Sequence, residues 1–111
     1  MILTAFRSRL REEEYAEYSL WAAEMDALAR QQPGFLSAKT FAALDGERVT
    51  LVEFESLEAT QAWRENVRHR EAQRLGRERF YAEFQVQVCT VLRAYSFARD
   101  MASMPTRSEI P

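Results

Sequence analysis

The residues best suited to chemistry in this 111-residue chain gather in one stretch, Trp63 to Tyr81, WRENVRHREAQRLGRERFY. It holds the only histidine, His69, the only asparagine, Asn66, and six arginines. Wrapped on a helix, His69, Ala72, Gln73, Gly76 and Phe80 share one stripe, while Arg70, Arg74, Arg77 and Glu78 point elsewhere, so the imidazole faces inward. Imidazole has an ordinary pKa suited to proton transfer near neutrality, and its neutral form donates one hydrogen bond and accepts another. That makes His69 a candidate general base, with Trp63 and Asn66 as neighbours. Trp63, Phe41, Phe80 and Tyr18 supply the aromatic surface for a slot that would take a flat ligand. The same pattern fits a structural histidine bonded to a backbone carbonyl, among aromatics that pack the core.

The elements that must position these groups are legible from periodicity. Met1 to Leu10 alternates as a strand with two unlike faces. A helical period follows from Arg11, with Tyr18, Trp21, Met25 and Leu28 recurring and Glu12, Glu13, Glu14 and Glu17 loading its first turns, where acidic groups complement the helix dipole. Pro33-Gly34 ends that helix near Gln31. Phe35 to Ala42 and Arg48 to Glu55 alternate again on either side of Asp45-Gly46, a strong hairpin signal. Ser56 is placed to cap a second helix, which bends or breaks near Val67 to His69 and resumes to about Tyr81. The period returns to two from Phe84 to Phe97, a long closing strand.

The order predicts an α+β, ferredoxin-like split βαββαβ domain over residues 1–97, with a four-stranded antiparallel sheet and helices on one face, followed by a tail over residues 98–111. Leu3, Ala5, Phe35, Phe41, Val86 and Val88 give several strands apolar groups on both faces, so a second copy packed sheet to sheet is expected, a homodimer.

Composition narrows the function. The formal net charge is −2, and Glu65, Glu71 and Glu78 interleave with the arginines, so a nucleic-acid or membrane partner is not expected and pairing with the acidic first helix is. No apolar run reaches the length of a transmembrane helix and no signal peptide is recognisable, which predicts a cytoplasmic protein. Cys89 stands alone in an apolar strand and reads as a core hydrophobe. Without a phosphate loop, a GxSxG turn or metal-spaced His and Cys pairs, no metal and no cofactor is expected.

PGF at Pro33 to Phe35, the Asp-Gly hairpin, VEFES at Val52 to Ser56, Ala62-Trp63, HREAQRLGRERFY at His69 to Tyr81 and the strand VQVCTVLRAYSF together resemble the antibiotic biosynthesis monooxygenase family, over nearly the whole of residues 1–97. The resemblance implies the dimeric α/β barrel, with a pocket between the helices and one sheet face. It also implies a cofactor-independent monooxygenase that acts on a small phenol- or anthrone-like aromatic with molecular oxygen. Trp63, Asn66 and His69 fall where such a pocket would be lined and are the catalytic candidates; Phe41, Tyr18, Phe80 and Tyr81 are the pocket candidates. Two alternatives follow from the same family: a non-catalytic binding or structural dimer, and a haem-binding or haem-degrading protein. The first strand lacks the asparagine of haem-degrading relatives and Trp63 and His69 stand closer together than in them, which ranks haem below the other two.

Overall fold

The computed structural model describes residues 1–99. Strand β1 (Ile2–Leu10) leads through a 3-10 turn (Glu12–Glu14) into helix α1 (Tyr15–Arg30); β2 (Phe35–Ala42) and β3 (Arg48–Phe54) follow, then α2 (Leu57–Glu65), α3 (Val67–Leu75), a π-helical turn (Gly76–Phe80) and β4 (Tyr81–Thr90). The strands run β2-β3-β1-β4 across one antiparallel sheet. This is the expected ferredoxin-like fold.

Local chemistry explains the boundaries. Gly34 adopts φ +82°, and a Cβ there would stand 2.9 Å from that of Ala59, so the turn after α1 needs a residue without one. In the hairpin the Asp45 carboxylate accepts the Glu47 N–H, and Arg9 holds the turn by donating to the Asp45 carbonyl and carboxylate. The Ser56 hydroxyl accepts the Ala59 N–H and caps α2. Asn66, with φ −55° and ψ 130°, lies outside helical geometry and separates α2 from α3. Its side-chain oxygen accepts the N–H groups of Arg68 and His69, so the chain stops one helix and starts the next at a single residue.

Residues opposite one another in an antiparallel ladder point the same way. Ile2 faces Phe54, Thr4 faces Val52 and Val88, Phe6 faces Thr50 and Val86, and Ser8 faces Arg48 and Phe84. Phe54 packs with Ala29 of α1 and Trp63 of α2, which makes this the helix-covered face. Leu3, Ala5, Val49, Leu51, Phe41 and Cys89 lie on the other face, which no helix covers among the described residues. Arg7 paired with Glu47, and Arg9 paired with Asp45 and Glu83, border that apolar strip.

Three expectations need correction. Phe35, Val86 and Val88 belong to the helix side and not to the bare face. The closing strand ends at Thr90 and not Phe97, because its partner runs out: β1 begins at Ile2 and the Val91 N–H already donates to the Met1 carbonyl. Cys89 is exposed and so is not a core residue of the single chain. The expected tail, 98–111, lies outside the described residues apart from its first two positions.

Candidate functional site

The candidate residues occupy two groups and one outlying position. In the first group the His69 ring lies flat on the Trp63 indole, with centroids 4.0 Å apart and 11° between planes. Trp63 is only 8% exposed and packs against Ala29 and Phe54. His69 Nδ1 lies 2.9 Å from the Trp63 carbonyl oxygen. A carbonyl oxygen can only accept, so Nδ1 carries the proton, and the 3.3 Å approach of the Gln73 amide to Nδ1 is packing rather than a second bond. This tautomer leaves the lone pair on Nε2, which has no hydrogen-bond partner among the described residues. Burial pushes the imidazole pKa below its ordinary value, opposed in part by the bond to the Trp63 carbonyl. His69 is therefore neutral near pH 7 and holds a base at Nε2. Asn66 touches this group through its cap to the His69 N–H, so its oxygen is engaged in holding the helix junction.

Tyr18, Phe80 and Tyr81 form the second group, joined by Phe6 and Phe84. Tyr18 meets Phe80 and Tyr81 edge to face at 5.8 and 5.9 Å. Tyr81 meets Phe6 at 5.2 Å and Phe84 at 5.8 Å. Phe80 is 1% exposed and anchors the cluster. Burial first, and the neighbouring Tyr18 second, push the Tyr81 phenol far above its ordinary range, so it stays protonated and acts only through its O–H. The Arg48 guanidinium stands 5.7 Å from the Tyr18 ring centre.

Two pairings hold the π-helical turn that feeds this cluster. Arg79 bridges Glu14 and Glu17 at 2.8 and 2.7 Å, and the Arg11 N–H donates to the Phe80 carbonyl. Arg68 pairs with Glu24 and covers the Trp21 ring at 4.2 Å. The basic stretch thus does meet the acidic first helix.

Phe41 joins neither group. It faces Val49 on the bare side of the sheet, because a bulge between Phe35 and Ser37 reverses the alternation: Phe35 turns toward Phe54 in the core and Phe41 turns away. The two remaining groups sit toward opposite ends of the helix-covered face. From Tyr18 to Ala29 is about 16 Å along α1, and from Arg48 to Phe54 about 20 Å along β3. Between these ends, on the helix side of β4, Phe84, Val86 and Val88 remain 41, 48 and 55% exposed. That strip is an uncovered apolar floor.

Sequence reasoning did not single out Phe6, Phe84 or Arg48. Alternation along β1 and β4 already puts Phe6 and Phe84 on single faces; what was missing was the β1–β4 register that stacks them at 5.6 Å. Arg48 shares the parity of Thr50, Val52 and Phe54, which marks it as helix-facing once Phe54 is known to be core.

A family model for antibiotic biosynthesis monooxygenase matches residues 1–75. The uncharacterized protein YqjZ of Bacillus subtilis strain 168 is 32% identical over 90 residues, covering 81% of this chain and 79% of that protein. The chain belongs to the antibiotic biosynthesis monooxygenase family. Solved structures agree on the fold: a Deinococcus radiodurans protein carrying the same family name superposes with a TM-score of 0.78 at 13% identity, covering 89% of this chain and all (100%) of that one. SnoaB, a cofactor-independent oxygenase from Streptomyces nogalater, superposes with a TM-score of 0.71 at 15% identity, covering 84% of this chain and 94% of that one. Among the described residues no helix is long and apolar enough to cross a membrane, and no three His, Cys, Asp or Glu side chains converge as a metal site.

Proposed function

We propose that this protein is a cofactor-independent monooxygenase of a small phenol- or anthrone-like aromatic, working in the cytoplasm as a homodimer joined through the bare sheet face. The observation that carries the reading is the half-exposed apolar strip of Phe84, Val86 and Val88, which runs along the helix side of β4 from the Tyr81 cluster toward the Phe54 end of the sheet, the end at which Trp63 and His69 stack. From Val88 to Phe84 is about 13 Å, room for a flat fused-ring system lying along β4. The relation to SnoaB in fold supports the reaction class.

The chemistry needs no outside electron donor. The carbon to be oxidised in an anthrone-like substrate carries two hydrogens. His69 Nε2 takes the first as a proton, and the resulting carbanion passes electrons to oxygen and forms the C–O bond. Loss of the second C–H proton with cleavage of the O–O bond leaves a carbonyl on the substrate and releases water. One oxygen atom stays, the other departs, and the substrate supplies every electron. Trp63 fixes the imidazole by its stack and its carbonyl, and Asn66 fixes the helix start that carries His69.

Oxygen consumption with an anthrone test substrate, in the presence of a chelator, tests the proposal. Turnover should survive the chelator and fall by about two orders of magnitude in His69→Ala, the scale of a lost general base. One observation favours a non-catalytic dimer as the second reading: the Trp63 carbonyl and the flat stack give His69 a complete structural role. Unchanged turnover in His69→Ala would remove the base from the mechanism, and a protein that neither binds nor oxidises any aromatic would be that second case.

A further inference from the structure

Seven of the described arginines, 7, 9, 11, 30, 68, 74 and 79, are tied to carboxylates. Arg48 is not. Among the described residues it pairs with no acid, although it is half-buried and its chain neighbour Glu47 is occupied by Arg7. The other arginines without a carboxylate in that set, Arg64, Arg70, Arg77 and Arg93, are exposed, where water solvates them. A half-buried cation without a counter-ion loses solvation, which the Tyr18 ring at 5.7 Å offsets only in part and a visiting anion would offset further.

Its surroundings say which anion. Arg48 opens β3 on the helix-covered face, opposite the buried Ser8, with the Tyr18 ring 5.7 Å from its guanidinium. Tyr81 lies within its electrostatic reach and meets Tyr18 edge to face. Phe84, the residue that faces Ser8 from the β4 side, begins the apolar strip. One end of an aromatic floor thus holds a fixed positive charge and two tyrosines, of which burial keeps Tyr81 protonated. That combination fits a planar aromatic bearing an ionised oxygen better than a phosphate or a peptide carboxylate, which would leave the rings unused.

We propose that Arg48 receives the ionised oxygen of a phenol- or enol-type aromatic, with Tyr18 and Tyr81 beside it, and so selects acidic aromatics and holds them as anions. The assignment rests on the aromatic-substrate reading above and names the group that stabilises the charge. Planar guanidinium can converge two N–H donors on that oxygen and stack on a ring, and a lysine ammonium cannot stack in this way.

The test uses the full chain and alizarin, a hydroxyanthraquinone dye whose absorbance reports its ionisation. Bound to the wild type, the dye should ionise about one pH unit or more below its free value, since a nearby cation favours the charged form. The other charged groups near the cluster, Arg79 with Glu14 and Glu17, are paired with each other and remain so in every variant. Arg48→Met and Arg48→Gln should bind the neutral dye and lose the shift, Arg48→Lys should keep part of it, and the exposed Arg64→Gln should keep all of it. Two neutral replacements and a charged one are compared because Arg48 makes no ion pair whose loss would unfold the chain, and circular dichroism checks each. Dye that binds with the same ionisation in Arg48→Met, Arg48→Gln and the wild type overturns the Arg48 assignment alone. A wild type that does not bind the dye overturns the assignment together with the aromatic-cleft reading.

Discussion

The ring of Tyr81 lies so close to Gly76 that a Cβ on the glycine would stand 2.7 Å from Tyr81 Cε2. Tyr81 has nowhere to retreat, because Tyr18, Phe6 and Phe84 meet it on its other sides. The π-helical turn that starts at Gly76 and the aromatic cluster that ends it are therefore one packing unit.

Gly76→Ala should destabilise the protein by about 1–3 kcal/mol, the range for overpacking a tight site, even though alanine favours helices intrinsically. Thermal unfolding measures it. A variant as stable as the wild type would mean the turn can open without cost, and the closeness of the two residues would then carry no energetic weight.

Periodicity exposed the elements of this fold because each carries its own local signal: the cap at Ser56, the turn at Asp45-Gly46, the acidic start of α1. What it could not supply was parity across an irregularity. The bulge after Phe35 inverts every later side chain of β2, and nothing in FLSAKTFA announces it, so Phe41 reads as a neighbour of the aromatic slot while facing away from it. The alternation to Phe97 is likewise real, yet a strand needs a partner and β1 starts at Ile2. That His69 faces inward was readable from its stripe; the helix break at Asn66, which lays its ring parallel to that of Trp63, was not.

Burial lowers the folded-state pKa of His69 below its ordinary value of 6.5, so at acid pH the unfolded chain binds a proton that the folded chain resists. Stability should fall as pH drops through the ordinary imidazole range toward the depressed folded value, and should be insensitive to this group above it. Comparing melting temperatures of the wild type and His69→Gln across that window isolates the effect from Glu13, Glu17, Glu24 and Asp45, whose lowered pKa values act further into acid. A difference between the two proteins that does not change with pH would argue that the imidazole is freely solvated.

If the bare sheet face joins two copies, Leu51→Asp should convert the dimer to monomer in sedimentation at micromolar concentration, because it puts a carboxylate into the apolar strip, where the single cation opposite it, Lys39, does not repay the desolvation of burying the pair against a partner. Val88→Asp should leave the dimer intact and weaken binding of flat aromatics, since Val88 lies on the opposite, helix-covered side. Dimers that persist in Leu51→Asp, or a wild type that is monomeric with a melting temperature independent of concentration, would place the partner elsewhere or remove it.

The pH dependence of turnover separates the two ways a proton can leave the substrate. If His69 Nε2 takes it, the rate with an anthrone should rise through a single titration that lies below the ordinary 6.5, because burial holds the folded imidazole neutral, and should be flat above neutrality. If instead the substrate ionises unaided against a fixed cation, the rate should follow the substrate's own ionisation and shift when its acidity is changed by ring substituents. Substituents should leave the midpoint in place in the first case and move it in the second. His69→Gln, which keeps a hydrogen-bonding side chain but no base, sharpens the choice: it should remove the acid limb and cost about two orders of magnitude if the imidazole is the base. A profile that keeps its midpoint and height in His69→Gln would show that the imidazole serves only to join α2 and α3 through the Trp63 carbonyl.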